Sequence, residues 1–321
     1  MKKINALVSG IGTIIGYGII NSLKQCKYDV HIVGMDMNPE AVGKHWSDDF
    51  VLAVPAASED FIPFLKKTID DYKIDIVFLG IEQEMNKITA SRDELGEYLN
   101  KIVINAENVI DLTNDKWSTY EFLRSNQLPA IESTLERDYE KLRDFFGGDF
   151  LVKPRRSYSS RGVKKIQDET TFNYYEFLLG DQFMAQRVVG DDEHEYTAAA
   201  FCYGNGKCSK PIVLKRKLSF EGSTLKAEVV DCKPIEDSIL TLTELLKPLG
   251  PTNFQYRVEN DTAYLLEINP RVSSSTSLRT AFGYNEAEMA IDFFVEKHTE
   301  VNPIIKRGTA VRYISDYVEL V

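Results

Sequence analysis

The chain has 321 residues, 43% of them hydrophobic, so it can bury a sizeable core and divide into more than one domain. Its 38 Lys and Arg stand against 49 Asp and Glu, and the net charge of −11 leaves no positive field to hold a nucleic-acid backbone. The four cysteines form no C-x-x-C pair, which argues against a disulfide scaffold or a structural zinc site. No apolar run has membrane-spanning length, so a cytoplasmic protein is predicted.

The first third of the chain alternates short β-branched runs with longer amphipathic stretches. Because this alternation is typical of strand–helix–strand units, it predicts a parallel α/β sheet over residues 1–111. The predicted strands are Ile4 to Val8, Val30 to Val33, Ile74 to Leu79 and Ile102 to Ile104.

A glycine-rich turn follows the first predicted strand and opens a helix. A dinucleotide fingerprint would require glycine at position 15, where this chain has Ile15, although Asp36 would suit a ribose contact. Close helix-to-sheet packing or a small-substrate contact is an equally good interpretation of Gly10 to Gly18. A nicotinamide-dependent oxidoreductase therefore stays open as an alternative.

A second unit is predicted from about residue 112. A helix over Lys116 to Arg124 leads to a strand, Phe150 to Pro154, whose end carries Lys153. The polar segment that follows, closing on Gly162, could cover phosphate oxygens while Lys153 neutralises their charge. A solvated basic surface loop would explain its arginines equally well.

The remaining chain is predicted to be an antiparallel α+β region. It has strand-like runs from Phe183 onward, a helix over Ile239 to Leu246, a hairpin turning at residues 259–261, and a last strand over Thr309 to Ile314. Residues 186–190 could pair with an adenine ring through the backbone, and the acids that follow would suit ribose hydroxyls.

The predicted hairpin carries the pattern with the clearest chemical meaning. Glu267 and Asn269 lie two residues apart in a strand, so both oxygens project from one face toward a hard cation. Gln255 on the partner strand could reach the same ion, and Arg271 would face a transferring phosphoryl group. An ordinary half-exposed hairpin explains the alternation but not the abrupt Asn-Pro-Arg ending.

In this order, the patterns resemble the ATP-grasp superfamily, most closely the stand-alone carboxylate–amine ligases of its carbamoyl-phosphate-synthetase-like branch. The specific segments are LEINPRVSSSTSL, VKPR…SSRGV and Asp115-Lys116. Two positions depart from the family pattern: Ser157-Tyr158 stands where many members have glycine, and Gln255 replaces an acid that is more common there. The substitution at Gln255 also occurs within the synthetase-like branch.

The resemblance implies a Rossmann-like pre-ATP-grasp domain (1–111), lobe A with the phosphate loop (112–185), and lobe B with the metal site and acceptor loop (186–321). It assigns phosphate and base contacts to Lys116 and Lys153, and the phosphate loop to Ser159, Ser160, Arg161 and Gly162. It assigns adenine to Gln186, Arg187 and Val188, ribose to Glu193 or Glu195, and Mg²⁺ (Mn²⁺ as the alternative) to Gln255, Glu267 and Asn269. Arg271 and Lys226 would be catalytic.

The implied reaction uses ATP to activate a carboxylate as an acyl phosphate, releases ADP, and forms an amide with an amine. The candidate carboxylates are amino acids, peptides and sugar acids, and a homodimer is one assembly left open. A non-catalytic nucleotide-binding module is the second alternative, but it would not require Glu267, Asn269 and Arg271 together.

Overall fold

A computed structural model of the chain describes residues 3–156, 162–220 and 222–319. Within those ranges, none of the helices combines the length and the apolar character that crossing a lipid bilayer requires.

Residues 3–113 form the first domain around a parallel sheet of strand order β3-β2-β1-β4-β5. Its strands and α-helices are β1 Ile4–Ser9, α1 Ile14–Lys24, β2 Val30–Asp36, β3 Asp49–Leu52, α2 Phe61–Asp71, β4 Ile76–Phe78, α3 Glu82–Ala90, α4 Arg92–Leu95, β5 Ile102–Val103 and α5 Glu107–Thr113. The strand order reverses direction next to β1, and the crevice at the carboxyl end of such a strand is where open α/β sheets bind ligands.

The glycine turn lies at that carboxyl end. Thr13 caps α1 by accepting a hydrogen bond from the Gly16 amide at 3.1 Å. A Cβ atom at Gly16 would lie 2.2 Å from the Gly10 carbonyl oxygen, so only glycine lets the helix start this close to β1. The Asp36 carboxylate accepts from the Gly12 amide at 2.8 Å and therefore braces the turn itself.

The second part of the chain forms a four-stranded antiparallel sheet of order β6-β9-β7-β8. Its elements are α6 Lys116–Ser125, β6 Ser133–Thr134, α7 Tyr139–Phe146, β7 Phe150–Pro154, β8 Lys164–Ile166, α8 Glu169–Phe172 and β9 Phe183–Arg187. Leu142, Phe150 and Phe172 are fully buried in its own small core.

The third part forms a six-stranded antiparallel sheet of order β14-β13-β10-β11-β12-β15. Its elements are β10 Glu195–Tyr203, β11 Ile212–Leu218, β12 Thr224–Val229, α9 Lys233–Leu246, β13 Leu249–Glu259, β14 Thr262–Asn269, α10 Thr276–Ala281, α11 Glu286–Ala290, a π-helical turn Ile291–Val295 and β15 Thr309–Val311.

The two faces of this sheet have different roles because successive residues of a strand point to opposite sides. Ala198, Ala200 and Phe254 pack with helix α9 on one face. On the other face, Ala199 and Phe201 join the core of the first domain. Glu195, Gln255 and Glu267 lie on this second face of the sheet as well.

The predicted architecture, a parallel N-terminal sheet followed by two antiparallel sheets, is confirmed. The helix predicted from Ile239 begins earlier, at Lys233, where Pro234 suits the first turn of a helix. Two predicted domain limits fall inside elements, 111/112 within α5 and 185/186 within β9. The exact bounds of the three domains stay predictions.

Candidate functional site

A cavity of about 760 Å³, here called the sheet cavity, is lined by both antiparallel sheets. Ile131, Leu151, Val163 and Leu266 provide apolar walls. Eight of the residues singled out from the sequence also line it: Lys116, Lys153, Gln186, Arg187, Val188, Glu195, Gln255 and Glu267. Apolar walls with a few convergent polar groups are typical of small-molecule sites.

Lys153 is the buried cation of this cavity. Its Nζ donates to Gln186 Oε1 at 2.7 Å, and Gln186 Nε2 donates to Ser133 Oγ at 2.9 Å. Burial, together with the nearby Lys116, lowers the pKa of Lys153 to about 7, although Glu267 acts in the opposite direction. An anion beside Lys153 would favour the protonated, positively charged form of this lysine. The cavity is therefore suited to a negatively charged ligand.

Gln255, Glu267 and Asn269 come together on the neighbouring strands β13 and β14. Gln255 lies opposite Glu267 in the pairing, and its Nε2 donates to Glu267 Oε1 at 3.3 Å. Asn269 follows two residues later on the same face, opposite Asn253. Lys116 Nζ approaches Glu267 Oε2 to 3.6 Å, so the only carboxylate of the set faces a lysine of helix α6.

This donor set fits a hard cation through its oxygen atoms. In the described part of the chain, no group of three or more His, Cys, Asp or Glu could hold a metal by itself. Gln255 Oε1 accepts from Arg216 at 2.8 Å and Asn269 Oδ1 accepts from Arg271 at 3.2 Å. Glu267 would supply the carboxylate ligand of a metal held here, and the amide oxygens of Gln255 and Asn269 would supply the others, which the two arginines now occupy.

The sequence left Glu193 and Glu195 as alternatives for the ribose contact. Glu195 is buried and lines the sheet cavity, where Arg216 and Arg257 donate to its two oxygens at 2.9 and 3.1 Å. Glu193 is exposed, lies 3.6 Å from Lys217 Nζ and is not among the lining residues. The structure brings only Glu195 to the cavity, and its contact with ribose stays a prediction.

Lys226 lies elsewhere than the sequence analysis placed it. It is exposed, and it pairs with Lys217 across strands β11 and β12. Arg216 pairs with the next residue, Ala227, so strand alternation directs Lys226 away from the face that carries Arg216 and Glu267. The structure does not bring Lys226 to that face, and its catalytic role stays a prediction.

The predicted phosphate loop is described only at its end. Ser159, Ser160 and Arg161, together with Ser157-Tyr158, lie outside the described residues. Gly162 has a φ of +81°, and a Cβ there would lie 2.8 Å from Pro154 Cγ. A side chain at position 162 would strain the return into β8, which accounts for the glycine.

A second cavity of about 960 Å³, here called the interdomain cavity, extends from the six-stranded sheet to the first domain. Gly12, Ile14, Ile15 and Tyr17 of the glycine turn and α1 form one wall, and Ser273, Ser274 and Ser275 form another. The two cavities share six lining residues: Arg216, Leu218, Ser219, Phe220, Gln255 and Glu267. A reacting group beside Glu267 is therefore accessible from both.

Each of the three serines after Val272 is held by a different element. Ser273 Oγ accepts from the buried Arg279 at 3.0 Å, and Ser275 Oγ shares a hydrogen bond with Thr224 Oγ1 at 3.0 Å. The Ser274 carbonyl accepts from Arg312 Nη2 at 2.7 Å. We call residues 273–275 the serine loop. It is held by two of its side-chain hydroxyl groups and one backbone carbonyl, while the Ser274 side chain is half-buried at the cavity wall.

Arg271 joins the interdomain cavity to the first domain. Its Nη2 lies 3.0 Å from Glu82 Oε2, at the start of helix α3, and also donates to Asn269. The guanidinium thus lies at the candidate metal site and is already held by a carboxylate of another domain. A phosphoryl group at Glu267 would compete with Glu82 for Arg271.

Three arginines were not identified from the sequence: Arg216 and Arg279, which are buried, and Arg257, which is half-buried. Arg279 is fully buried and forms an ion pair with Glu286 at 3.3 Å, beneath the serine loop. Arg216 had a visible signal, because it shares a strand face with the buried Ile212 and Leu214. A charged residue on the same strand face as buried apolar residues usually forms an ion pair or binds a ligand.

Comparison with known proteins gives consistent results. Residues 192–317 match a family described as ATP-grasp in the biosynthetic pathway with Ter operon. The carbamoyl phosphate synthase large chain of Methanospirillum hungatei is 24% identical over 307 residues, covering 85% of this chain. The chain spans only 28% of the length of that relative.

Solved structures share the fold at low sequence identity. N5-carboxyaminoimidazole synthetase from Staphylococcus aureus, in complex with ADP, superposes with a TM-score of 0.75 at 16% identity, covering 97% of this chain and 82% of its own. The biotin carboxylase domain dimer of Hydrogenobacter thermophilus 2-oxoglutarate carboxylase, with MgADP, ADP and bicarbonate, gives 0.65 at 12% identity, covering 90% and 69%. Residues 192–317 therefore match an ATP-grasp family, and the chain as a whole shares the fold of these solved structures.

Proposed function

We propose that this protein is an ADP-forming carboxylate–amine ligase that uses Mg-ATP and proceeds through an acyl phosphate. The observation that carries this proposal is the junction of two cavities at Glu267, with Arg216 and Gln255 shared between them. A nucleotide in the sheet cavity and a carboxylate in the interdomain cavity could meet beside these shared residues.

In this proposal, the sheet cavity binds ATP. Lys153 and Lys116 neutralise phosphate oxygens, and the strand end at residues 186–188 contacts the adenine. The apolar walls exclude water from the base. Mg²⁺ held by Glu267, with Gln255 and Asn269, would neutralise the charge that develops on the transferring phosphoryl group. The family typically contains ADP-forming ligases, which agrees with this assignment.

The acceptor carboxylate attacks the γ-phosphorus, the bond to the β-phosphate bridging oxygen breaks, and ADP leaves with that electron pair. An amine then attacks the acyl carbon, loses a proton, and releases phosphate to give an amide. Arg271 lies where it could turn from Glu82 to the phosphoryl oxygens, because both contacts use the same guanidinium. Closure of the two sheets around the nucleotide would exclude competing water.

The first experiment measures nucleotide choice by titration calorimetry. Mg-ATP is expected to bind, and NAD is not, because Asp36 braces the glycine turn rather than facing a ribose. Tight NAD binding without any heat from Mg-ATP would overturn the proposal and favour the oxidoreductase.

The second experiment identifies the reaction. Amino acids, dipeptides and sugar acids are incubated with Mg-ATP and hydroxylamine, which intercepts an acyl phosphate as a hydroxamate. Hydroxamate and ADP formed in equal amounts with one acid would support the ligase. Phosphate released at one rate with or without acids would show a plain ATPase instead. Light scattering on the same preparations measures whether the protein is a monomer or a homodimer.

A further inference from the structure

Two of the four cysteines face each other on the side of the molecule away from the sheet cavity. Cys202 lies near the end of β10, and Cys208 follows the turn at residues 204–207. The two residues form an antiparallel bridge. The flanking hydrogen bonds run from the Tyr203 amide to the Lys207 carbonyl at 3.0 Å and from the Ser209 amide to the Phe201 carbonyl at 2.8 Å.

This hydrogen-bond pattern defines the geometry of the pair. Because the bonds belong to the residues on either side, Cys202 and Cys208 occupy a non-hydrogen-bonded position of the ladder. At such positions Cα atoms approach to about 4.5 Å and side chains are closest. Disulfides span Cα separations of roughly 4.4–6.8 Å, so the backbone already has a separation that a disulfide can bridge.

The two thiols differ in a way that suits stepwise chemistry. Cys202 is fully buried, with its Sγ 3.9 Å from Thr243 Oγ1 of helix α9. Burial raises the pKa of the Cys202 thiol well above its ordinary value. Cys208 is half-buried, and the Cys202 sulfur lowers the pKa of the Cys208 thiol through a side-chain hydrogen bond. Cys208 is therefore the accessible, more acidic thiol, and Cys202 is its buried neighbour.

We propose that Cys202 and Cys208 form a dithiol that small-molecule disulfides oxidise reversibly to an intramolecular disulfide. The Cys208 thiolate attacks one sulfur of the small disulfide, forms a mixed disulfide and expels one thiolate, which takes up a proton. The Cys202 thiol then loses its proton and attacks the Cys208 sulfur, expelling the second small thiol. One disulfide is reduced to two thiols, and two protein thiols become one disulfide.

The position of the pair separates this chemistry from the proposed ligase site. Cys202 belongs to the face of β10 that packs on α9, while Glu195 and Thr197 of the same strand face the site. Oxidation of the pair should therefore leave nucleotide binding unchanged. Thr252, a hydrogen-bond partner of the Cys202 sulfur, accepts from Asn105 of the first domain at 2.9 Å. The dithiol thus lies at the contact between the first domain and the six-stranded sheet.

The test incubates the reduced full-length protein with mixtures of oxidised and reduced glutathione, quenches it with acid, and measures intact mass. The wild type is expected to lose two hydrogens and to regain them with a phosphine reductant. Trypsin cleaves after Lys207, between the two cysteines, so the peptides carrying Cys202 and Cys208 should stay joined only in the oxidised sample.

Two variants distinguish the order of steps. Cys202→Ser is expected to stop at the mixed disulfide and keep one glutathione on Cys208, whereas Cys208→Ser should acquire no glutathione at Cys202. Cys202→Ala repeats the first result if the serine variant fails to fold. The double variant Cys26→Ser, Cys232→Ser serves as the control and should behave as the wild type, because these cysteines lie near the end of α1 and at the start of α9.

Stable glutathione on wild-type Cys208 without joined peptides at any glutathione ratio would overturn the proposal. Disulfides that involve Cys26 or Cys232 in place of the proposed pair would overturn it as well. A loss of Mg-ATP affinity on oxidation would contradict the assignment of the pair to the face opposite the site.

Discussion

The sheet cavity and the interdomain cavity meet at Glu267, yet they are built from different kinds of sequence. The sheet cavity takes most of its polar groups from strands, among them Lys153, Gln186 and Glu195, and adds Lys116 from helix α6. The interdomain cavity joins residues 12–17 to residues 273–275, which are more than 250 positions apart in the chain. Strand periodicity can identify the first cavity, whereas the second exists only after the domains pack.

The contacts that hold the polar residues in place also differ between the two cavities. Lys153 is held by a neutral amide, and its pKa near 7 leaves it ready to gain a proton from solvent. The serine loop is held by Arg279 and Arg312, which are fixed by their own partners. The nucleotide side is therefore expected to respond to pH, and the acceptor side to loss of positioning contacts. The following predictions test that contrast, from the largest expected effect to the smallest.

Replacing Glu267, whose carboxylate lines both cavities, should affect the nucleotide side and the acceptor side together. Glu267→Gln is expected to reduce ADP formation by at least about a thousandfold, because the metal bound there would supply several kcal/mol of charge stabilisation. Steady-state turnover measures the loss, and circular dichroism checks the fold. Glu228→Gln, an identical change at an exposed position of β12, is the matched control. Wild-type turnover in a folded Glu267→Gln protein would remove the site from the proposal.

Arg271→Ala should act mainly on the chemical step. A donor aimed at transition-state charge contributes about 2.7–4 kcal/mol, so turnover is expected to fall by roughly a hundredfold to a thousandfold. Single-turnover hydroxamate formation measures it, with Arg124→Ala on the exposed side of α6 as the control. An increase in KM alone, at full turnover, would make Arg271 a ground-state binding residue.

Lys153→Met should weaken Mg-ATP binding by about tenfold to a hundredfold, since hydrogen bonds to charged groups contribute roughly 1.5–3 kcal/mol. In the wild-type protein, the affinity for ATP should fall as the pH rises. Burial favours neutral Lys153 in the free protein, and phosphate favours the protonated form, so ATP binding takes up a proton at about pH 8 and affinity falls as the pH rises further.

Calorimetry in two buffers of different ionisation heat measures that proton uptake. The uptake should disappear in Lys153→Met. If the variant retained both the uptake and the wild-type affinity, Lys153 would not contact the nucleotide, and the lowered pKa would reflect burial alone.

The smallest effect is expected on the acceptor side. Arg312→Ala frees the Ser274 carbonyl and should raise the KM for the acceptor acid by about tenfold, the value of a net hydrogen bond of ~1.5 kcal/mol, while Mg-ATP affinity stays unchanged. Arg307→Ala is the control, because this arginine belongs to the same segment but pairs with Asp231 at the surface. Equal loss of ATP affinity in Arg312→Ala would show that the two cavities are not independently supported.

Much of the site was accessible from the sequence because its residues lie in short periodic segments. The spacing of Glu267 and Asn269 in a strand requires them to share a face, whatever the rest of the fold does. Lys226 shows the limit of that reasoning. The resemblance gave it a catalytic role, but whether a strand residue faces a cavity depends on the pairing register. The β11–β12 pairing turns Lys226 away from the face that carries Arg216.

The buried arginines show the other limit. Arg279 looks like a surface residue of a short helix, and only packing against Glu286, Thr197 and Asn253 makes it a fully buried support of the serine loop. Local sequence reports the periodicity and chemistry of a segment, but not which distant segment will bury it.

By itself, the sequence determined the parallel sheet, the two antiparallel units and the position of Glu267 and Asn269 on one face of a strand. The tertiary structure decided that Glu195 rather than Glu193 lines the sheet cavity, that Arg271 meets Glu82, and that the glycine turn faces the serine loop. The physical reason is range: backbone periodicity and φ preference act over a few residues, whereas burial and ion pairing are set by contacts between residues far apart in the chain.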